Sequence, residues 1–244
     1  EPEADTGDTD PAAETDTDAE EADTSEEAAE LTCDDAIGCV EIAAGDPIII
    51  ASALVITGPN ESLGLDSQHG VEIAIEQRGE IAGHAVELQA EDEGCSAEGG
   101  QTAGQKIASN PDIVGVIGSS CSGAGVPMSQ IVCAEGIAMI SPSNTAPVLT
   151  DAESRQACYF RTAHNDKVQG RAMAEYVFNE LGLTKAAAIH DGDPYTEGLA
   201  SVFRDSFIEL GGEVVAFEAE AADATNVEPL LTSIAAAGPE IIYY

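Results

Sequence analysis

Residues 118–125, GSSCSGAG, place hydroxyls, one thiol and several very small side chains directly after the apolar run 113–117. A strand that ends in Gly and Ser before a helix presents free backbone N–H groups and the positive end of the helix dipole, which suits a carboxylate or a phosphate. The spacing differs from that of the nucleotide-binding glycine motifs and from the G-x-S-x-G elbow of hydrolases. The stretch therefore indicates an anion-binding loop or, alternatively, a tight turn that needs small residues.

A second stretch, ISPSNTAP at 140–147, again places hydroxyls at the end of an apolar run. Ser143 and Thr145 can hydrogen-bond an anion beside the first loop. An ordinary turn rich in Ser, Asn and Pro has the same composition, and on this stretch alone the turn is favoured.

A third stretch, IHDGDPYTEGLA at 189–200, carries Tyr195 near the expected start of a helix, where it can pack on a ligand and hydrogen-bond it. The acidic pair Asp191 and Asp193 suits either a metal ion or a loop with a helix N-cap, and the N-cap is favoured. Asp166 stands where a strand passes into a helix, so it can cap that helix or line a cleft.

The histidines and cysteines show no metal-ligand spacing. No H-E-x-x-H occurs among the four histidines and no C-x-x-C among the six cysteines, so we expect neither a metal site nor a bound cofactor. An even number of cysteines is typical of disulfides in an exported protein, whereas in a cytosolic protein they would be buried thiols. The cysteines are Cys33, Cys39, Cys95, Cys121, Cys133 and Cys158.

Alternating strand and helix signals must position these three stretches. The predicted strands are 47–58, 84–94, 112–118, 137–143, 157–163, 185–191, 213–219 and 240–244. The predicted helices are 62–80, 99–110, 126–136, 166–183, 196–212 and 227–238. Because the strand runs are apolar throughout, helices should cover both sheet faces, and we predict an α/β fold with parallel sheets. In such sheets ligands bind beyond the carboxyl ends of the strands, where all three stretches lie.

The chain is strongly acidic, with 46 Asp and Glu against 8 Lys and Arg and a net charge of −38. Such a surface argues against nucleic-acid binding and against direct docking on anionic lipid. Residues 1–30 hold 14 acidic and no basic residues and lack aromatic, Leu, Ile and Val residues, so we expect a disordered acidic linker over 1–32. A small cysteine loop is expected over 33–45. No apolar run reaches the roughly 18–20 residues of a membrane span.

Six segments follow one another in an order that resembles a known family. They are GPNESLGLDSQHGVEIAIE, VELQAEDEGCSAEGGQTAGQKIA, VGVIGSSCSGAGVPMSQI, GIAMISPSNTAPVLT, YFRTAHNDKVQGRAMAEYV and AAAIHDGDPYTEGLASVF. Together they resemble the leucine/isoleucine/valine-binding family of type I periplasmic binding proteins over residues 46–244. The resemblance implies two α/β lobes that close on a ligand, here 46–164 and 165–244. Since Tyr244 lies within a strand signal, we expect the second lobe to be truncated.

The resemblance also assigns residues to the ligand site. It implies that Ser122, Ser143, Asn144, Thr145 and Tyr195 bind the ligand, with Ser122, Ser143 and Thr145 near its carboxylate. It implies a disulfide between Cys95 and Cys121 that anchors the first loop, whereas Cys133 and Cys158 either pair or stay free. Leu63 stands where the family often has an aromatic residue, and the family's acidic partner for the ligand ammonium would lie beyond Tyr244.

The function implied by the resemblance is an extracytoplasmic solute-binding protein that delivers an amino acid, by default an aliphatic one, to the permease and ATPase subunits of an ABC importer. The acidic linker would then follow a lipid-anchored amino terminus. The alternatives are a sensory receptor domain of the same fold and a binding protein for amides or urea-like solutes. A hydrolase that pairs Ser122 with His164 or His190 is disfavoured, because the elbow motif is missing.

Overall fold

A computed structural model describes residues 32–35 and 38–244 of the chain. The chain divides into two units, 1–34 and 35–244. In the first unit, the described residues 32–34 form no helix or strand, and every element named below lies in the second unit. The acidic linker expected over 1–32 lies outside the described residues apart from Thr32, as do residues 36 and 37 of the expected cysteine loop.

The second unit alternates strands with helices along most of its length, as predicted. The strands are β1 (Ile48–Leu54), β2 (Glu80–Ile81), β3 (His84–Asp92), β4 (Ile113–Gly118), β5 (Ala138–Ser141), β6 (Tyr159–Arg161), β7 (Lys185–His190), β8 (Glu213–Ala219) and β9 (Ile241–Tyr243). The helices are α1 (Glu61–Arg78), α2 (Ala97–Ala108), α3 (Ser122–Ala134), α4 (Asp166–Glu175), α5 (Pro194–Glu209) and α6 (Glu228–Ala237). A π-helical turn, Tyr176–Glu180, continues α4.

The strands form two sheets. The first has the order β2-β3-β1-β4-β5-β6, and the second has the order β8-β7-β9. All neighbouring strands pair in parallel except β2 and β3, which pair antiparallel. Parallel neighbours require crossover connections, and helices supply most of them. This confirms the predicted α/β fold with parallel sheets. The first sheet with α1–α3 is called the first lobe below, and the second sheet with α4–α6 the second lobe.

The core of the first lobe lies between its sheet and the helix pair α2 and α3. Ala51 and Ala53 of β1 and Met128 and Val132 of α3 belong to one fully buried cluster. The two helices approach closely because α2 carries glycine at the contact: a Cβ at Gly100 would collide with the backbone of Ala124. The short run of small residues in α2 thus sets the distance between the two helices.

The second lobe is built around aromatic side chains. Phe203 and Phe207 of α5 are fully buried and stack with ring centroids 5.5 Å apart. Tyr243 of β9 stacks on Phe203 at 4.3 Å, so the last strand is held by the same cluster. Aromatic residues bury large apolar areas, which explains how a three-stranded sheet with few core positions is stabilised.

The predicted start of the third helix was wrong. We expected it over 126–136, but α3 begins at Ser122, with Cys121 as an extended N-cap residue. The glycines of the first loop lower helix propensity, yet their missing side chains let neighbouring groups pack against this turn, and that packing overrides propensity. Strand β2 was also missed, because residue 80 fell inside the expected first helix.

Candidate ligand-binding cleft

A cleft of about 540 Å³ opens where the carboxyl ends of the strands of the two sheets converge. A cavity of this size is typical of sites for small molecules. Its walls come from the segments that follow β1, β3, β4, β5, β6, β7 and β8. The lining residues are Asn60, Leu63, Cys95, Ser120, Cys121, Ser122, Ser143, Thr145, His164, Gln169, Asp191, Asp193, Tyr195, Thr196 and Ala222.

The loop between β4 and α3 is fixed from behind by hydrogen bonds. Ser120 Oγ accepts from the backbone N–H of Val55 at 3.2 Å, which joins the loop to the end of β1. The N–H of Cys121 donates to Glu93 Oε1 at 3.2 Å. A disulfide joins Cys121 to Cys95, with a Cα–Cα distance of 5.1 Å. The loop is thus held at three points before α3 begins.

The loop after β5 is held by a buried polar network around Asn144. Ser141 Oγ accepts from the N–H groups of Ser143 and Asn144 and donates to Ser119 O at 2.8 Å. The Asn144 amide donates to Ser119 O at 3.0 Å, and Tyr159 donates to Asn144 Oδ1 at 3.1 Å. These bonds join the two hydroxyl-bearing loops into one rigid group.

Arg161 of β6 clamps the same loop from the other side. Its guanidinium donates to the carbonyls of Asn144 and Ala146 at 3.3 and 3.0 Å, and to Thr150 Oγ1 at 2.6 Å. The N–H of Ala146 in turn donates to Ser122 Oγ at 3.3 Å. The Ser122 oxygen accepts this bond, and a hydroxyl also carries one proton that it can donate to an acceptor in the cleft.

The second lobe contributes the turn between β7 and α5. Asp193 is the N-cap of α5, and its Oδ1 accepts from the N–H of Tyr195 at 2.8 Å. Asp191 Oδ1 accepts from the N–H of Asp193 at 3.0 Å and from the Thr196 hydroxyl. The structure therefore shows Asp193 as a helix N-cap and Asp191 as a loop residue, which are the roles that the sequence favoured for this pair.

Three carboxyl groups, two that line the cleft and one buried behind it, have shifted pKa values. Burial raises the pKa of Glu93 to about 7, against the opposing effect of the N–H groups of Cys121, Ser120 and Cys95. Burial, and then the neighbouring Asp191 charge, raises the pKa of Asp193, although the N–H of Tyr195 opposes this. Burial also opposes ionisation of Asp191, but hydrogen bonds from Thr196 and from the backbone outweigh it and lower its pKa.

Most of the ligand-site residues expected from the sequence come together here. Ser122, Ser143, Thr145 and Tyr195 line the cleft, and Cys95 and Cys121 are bonded beside it. The Asn144 side chain does not line it, because that side chain is buried in the network behind the loop. The second pair, Cys133 and Cys158, is also bonded and joins the end of α3 to the start of β6.

Asp166 also lies behind the cleft rather than at a helix cap. Asn165 is the N-cap of α4, and its Oδ1 accepts from the N–H of Lys167 at 2.9 Å. Asp166 is fully buried, and its N–H donates to Thr145 O at 3.0 Å. Burial raises the pKa of its carboxyl, while Thr145, His164 and Arg161 act in the opposite direction.

Sequence reasoning missed several lining residues. Asn60, Ser120, Gln169, Thr196 and Ala222 were not singled out, although each follows a strand or begins a helix beside it. The rule that ligands bind at strand carboxyl ends was the only available signal for them. Among residues 32–35 and 38–244, no group of three His, Cys, Asp or Glu side chains is placed to hold a metal ion. No described helix has the length and apolar character needed to cross a membrane.

The comparisons with known proteins agree on one family. A family model described as periplasmic binding protein matches residues 47–244. An amino acid binding protein of Pseudomonas aeruginosa is 30% identical over 200 residues, which are 81% of this chain and 53% of that protein. A Leu/Ile/Val-binding protein homologue of Brucella abortus has the same identity and the same coverage. The chain thus spans about half the length of the curated relatives it matches.

The fold of this chain is also similar to that of a solved binding protein. The crystal structure of a leucine binding protein, LivK of Thermotoga maritima, superposes with a TM-score of 0.73 at 25% identity, over 80% of this chain and 55% of that chain.

Proposed function

Because this chain belongs to the periplasmic binding protein family, we propose that it is an extracytoplasmic solute-binding protein of an ABC importer that holds an amino acid in the cleft. The observation that carries the proposal is the convergence of Ser122, Ser143 and Thr145 at the amino end of α3. No catalytic step is part of the proposal: the ligand binds and leaves unchanged.

The amino end of α3 would receive the ligand carboxylate. The first N–H groups of a helix have no partner within the helix and carry the positive end of its dipole. The Ser122 oxygen accepts from the N–H of Ala146, and its hydroxyl proton can be donated to the carboxylate. Ser143 and Thr145 are half-buried on the adjacent loop and add a hydroxyl each. Hydrogen bonds to a charged acceptor are worth about twice those between neutral groups.

The network behind the loops would keep these donors in place before the ligand arrives. Asn144 does not face the cleft but ties the loop after β5 to Ser119. The Cys95–Cys121 bridge restrains the other loop. A pre-organised site loses less conformational entropy on binding, which increases affinity without further contacts.

Three residues of the remaining wall can contact an apolar side chain. Leu63 of α1 and Tyr195 of α5 are partly exposed to the cleft, and Ala222 adds a small apolar surface. We therefore propose a branched-chain or other aliphatic amino acid. The names of the relatives support this, since they are described as binding amino acids, Leu/Ile/Val or leucine.

The partners follow from the same proposal. The permease and ATPase subunits of an importer would accept the closed, ligand-bound form. An extracytoplasmic location fits the disulfides, because such bonds persist in oxidising compartments. The acidic tract at the amino terminus would act as a spacer behind a lipid anchor.

A thermal-shift screen of the complete gene product against the amino acids and small amides tests the proposal. A ligand that binds only the folded protein raises its melting temperature. We expect a rise with one or more aliphatic amino acids that is lost in Ser122→Ala/Thr145→Ala. The matched control is Thr232→Ala/Ser233→Ala, which removes the same two hydroxyls from the exposed face of α6 and should keep the rise. No rise with any amino acid would overturn the assignment, and a rise with amides alone would replace it.

A further inference from the structure

A fully buried carboxyl group, that of Glu93, lies directly behind the wall of the cleft. Glu93 follows β3 in the chain, and its Oε1 accepts from the N–H of Cys121 at 3.2 Å. Cys121 is bonded to Cys95, and both of these cysteines line the cleft. The residue that Glu93 supports therefore faces the ligand and directly precedes Ser122.

The carboxyl group of Glu93 is only partly compensated in this position. Its Oε2 is buried without a hydrogen-bond partner among the described residues. Burial raises the pKa of Glu93 to about 7, against the effect of the N–H groups that surround it, so both protonation states are present at neutral pH. The charge of the ionised state is screened much less than a charge at the surface.

The amino end of α3 has to serve this carboxyl group and the ligand carboxylate together. Cys121 is the N-cap residue of α3, and the ligand carboxylate would bind the N–H groups that follow it. The favourable effect of the helix dipole is confined to the first turn. An ionised Glu93 behind Cys121 therefore repels a second negative charge in front of it, whereas the neutral acid does not.

The elements packed around Glu93 contribute few other charges. Apart from cysteines in disulfides, β1, α3 and the loop before α3 contain no titratable side chain. On α2, Glu98 is exposed and Lys106 pairs with Glu91 at 2.8 Å. Asp92 precedes Glu93, and its charge adds to burial in raising the pKa of Glu93. Burial opposes ionisation of Asp92 itself, but hydrogen bonds outweigh it and lower its pKa, so Asp92 keeps its charge at neutral pH.

Three titratable groups face the loop from the cleft: His164, Asp191 and Asp193. The two carboxylates of the second lobe add to the negative potential that a ligand carboxylate meets. A positive charge on His164 acts in the opposite direction. All three groups remain when Glu93 is replaced, so a comparison of Glu93 variants with the wild type isolates the contribution of Glu93.

We propose that Glu93 couples ligand binding to proton uptake: the neutral acid supports the loop before α3 without opposing the ligand carboxylate, whereas the ionised acid repels it. This coupling rests on the proposed function and concerns the regulation of the same site. Glu93 acts through Cys121 and does not touch the ligand, so it is a positioning residue. The coupling is reciprocal, since the ligand favours the proton on Glu93 by the same factor by which the proton favours the ligand.

The test titrates the complete protein with L-leucine in buffers of different ionisation enthalpy, which gives the number of protons taken up per ligand bound. We expect the wild type to take up a fraction of a proton at about pH 7.5 and to bind L-leucine about three- to tenfold more weakly at about pH 8 than at about pH 6. Glu93→Gln keeps an oxygen for the Cys121 N–H but has no proton to gain, so it should lose most of both effects. Glu98→Gln is the matched control, because it neutralises an exposed carboxylate on α2 and should keep both.

The outcomes separate this inference from the function on which it rests. A wild-type protein that binds L-leucine without proton uptake would overturn the coupling and leave the proposed function standing. Equal uptake in Glu93→Gln and the wild type would assign the proton to another group and overturn the role of Glu93. Should Glu93→Gln fail to fold, His164→Gln takes its place: uptake that persists supports Glu93, and uptake that disappears overturns it. If the wild type binds no amino acid at either pH, the proposed function fails, and this inference fails with it.

Discussion

The backbone N–H of Cys121 donates to Glu93 Oε1 at 3.2 Å, so a fully buried carboxyl group supports the loop that precedes α3. The other carboxyl oxygen, Oε2, is buried without a hydrogen-bond partner. A buried ionised oxygen without a donor is costly, and protonation relieves that cost. The protonation state of Glu93 therefore makes the stability of the protein at this loop depend on pH.

Glu93 should make the protein less stable as pH rises between about 4.5 and about 7. Burial raises its pKa from 4.5 to about 7, so in this window the folded protein binds a proton that the unfolded chain releases. The state that binds more protons loses relative stability as pH increases, and the contribution is about 3 kcal/mol above the window. Glu93→Gln keeps an acceptor for Cys121 and should remove this part of the decline.

Urea unfolding at about pH 5 and about pH 8 measures the effect as a change in the free energy of unfolding. The control is Glu98→Gln, which neutralises an exposed carboxylate on α2 and should keep the pH dependence of the wild type. If Glu93→Gln and the wild type lose the same free energy between the two pH values, Glu93 is ionised at little cost, and the prediction is wrong.

The convergence of the stretches 118–125, 140–147 and 189–200 was predictable because it follows from one rule about parallel sheets, whereas the choice of Ser122 as a ligand residue came from the family resemblance. Ser122, Ser143, Thr145 and Tyr195 each stand shortly after an apolar run, and the carboxyl ends of parallel strands converge at one edge. No contact between distant residues had to be known. The resemblance to a family supplied the Cys95–Cys121 pair, which composition alone left open.

The supporting groups could not be found in this way. Asn144 meets Ser119, 25 positions earlier, and Tyr159, 15 positions later, and such long-range hydrogen bonds leave no local pattern. Glu93 is one of 46 acidic residues, and nothing in the sequence marks it as buried. The start of α3 was misplaced for a related reason. Its glycines leave room for the side chains of Asp193 and Asn144, and the local sequence does not show that these side chains lie close to the helix.

The two described disulfides should have equal effects on stability and different effects on binding. They span sequence separations of 26 and 25 residues, so each should stabilise the fold by about 3 kcal/mol through the entropy of the unfolded chain. Cys95→Ala/Cys121→Ala should lose that stability and also weaken amino-acid binding, because the loop before α3 loses a restraint. The measurements are urea unfolding and calorimetric titration with L-leucine.

The second bridge is the matched control for the first. Cys133→Ala/Cys158→Ala opens a loop of nearly the same length at the other end of α3, away from the residues that line the cleft. We expect the same loss in the free energy of unfolding and no change in affinity. Equal losses of affinity in the two variants would mean that the Cys95–Cys121 bridge acts only through global stability.

The distance between α2 and α3 depends on the missing side chain of Gly100. A Cβ there would collide with the backbone of Ala124, which cannot move away as a flexible side chain can. Gly100→Ala should therefore lower the free energy of unfolding by about 1–3 kcal/mol, as overpacking in a core does. Gly70, in the exposed face of α1, has nothing within 4 Å of its Cβ position and serves as the control.

Gly70→Ala should stabilise the protein by about 0.5–1 kcal/mol, because alanine is the better helix former and no neighbour opposes it. Both substitutions replace a helical glycine by alanine, yet the expected changes in the free energy of unfolding have opposite signs. The comparison therefore separates the effect of packing from that of helix propensity. A Gly100→Ala variant as stable as the wild type would show that α2 can shift away from α3. Because α3 also presents Ser122 to the cleft, a shift between the two helices in that variant should then change the affinity for the amino acid.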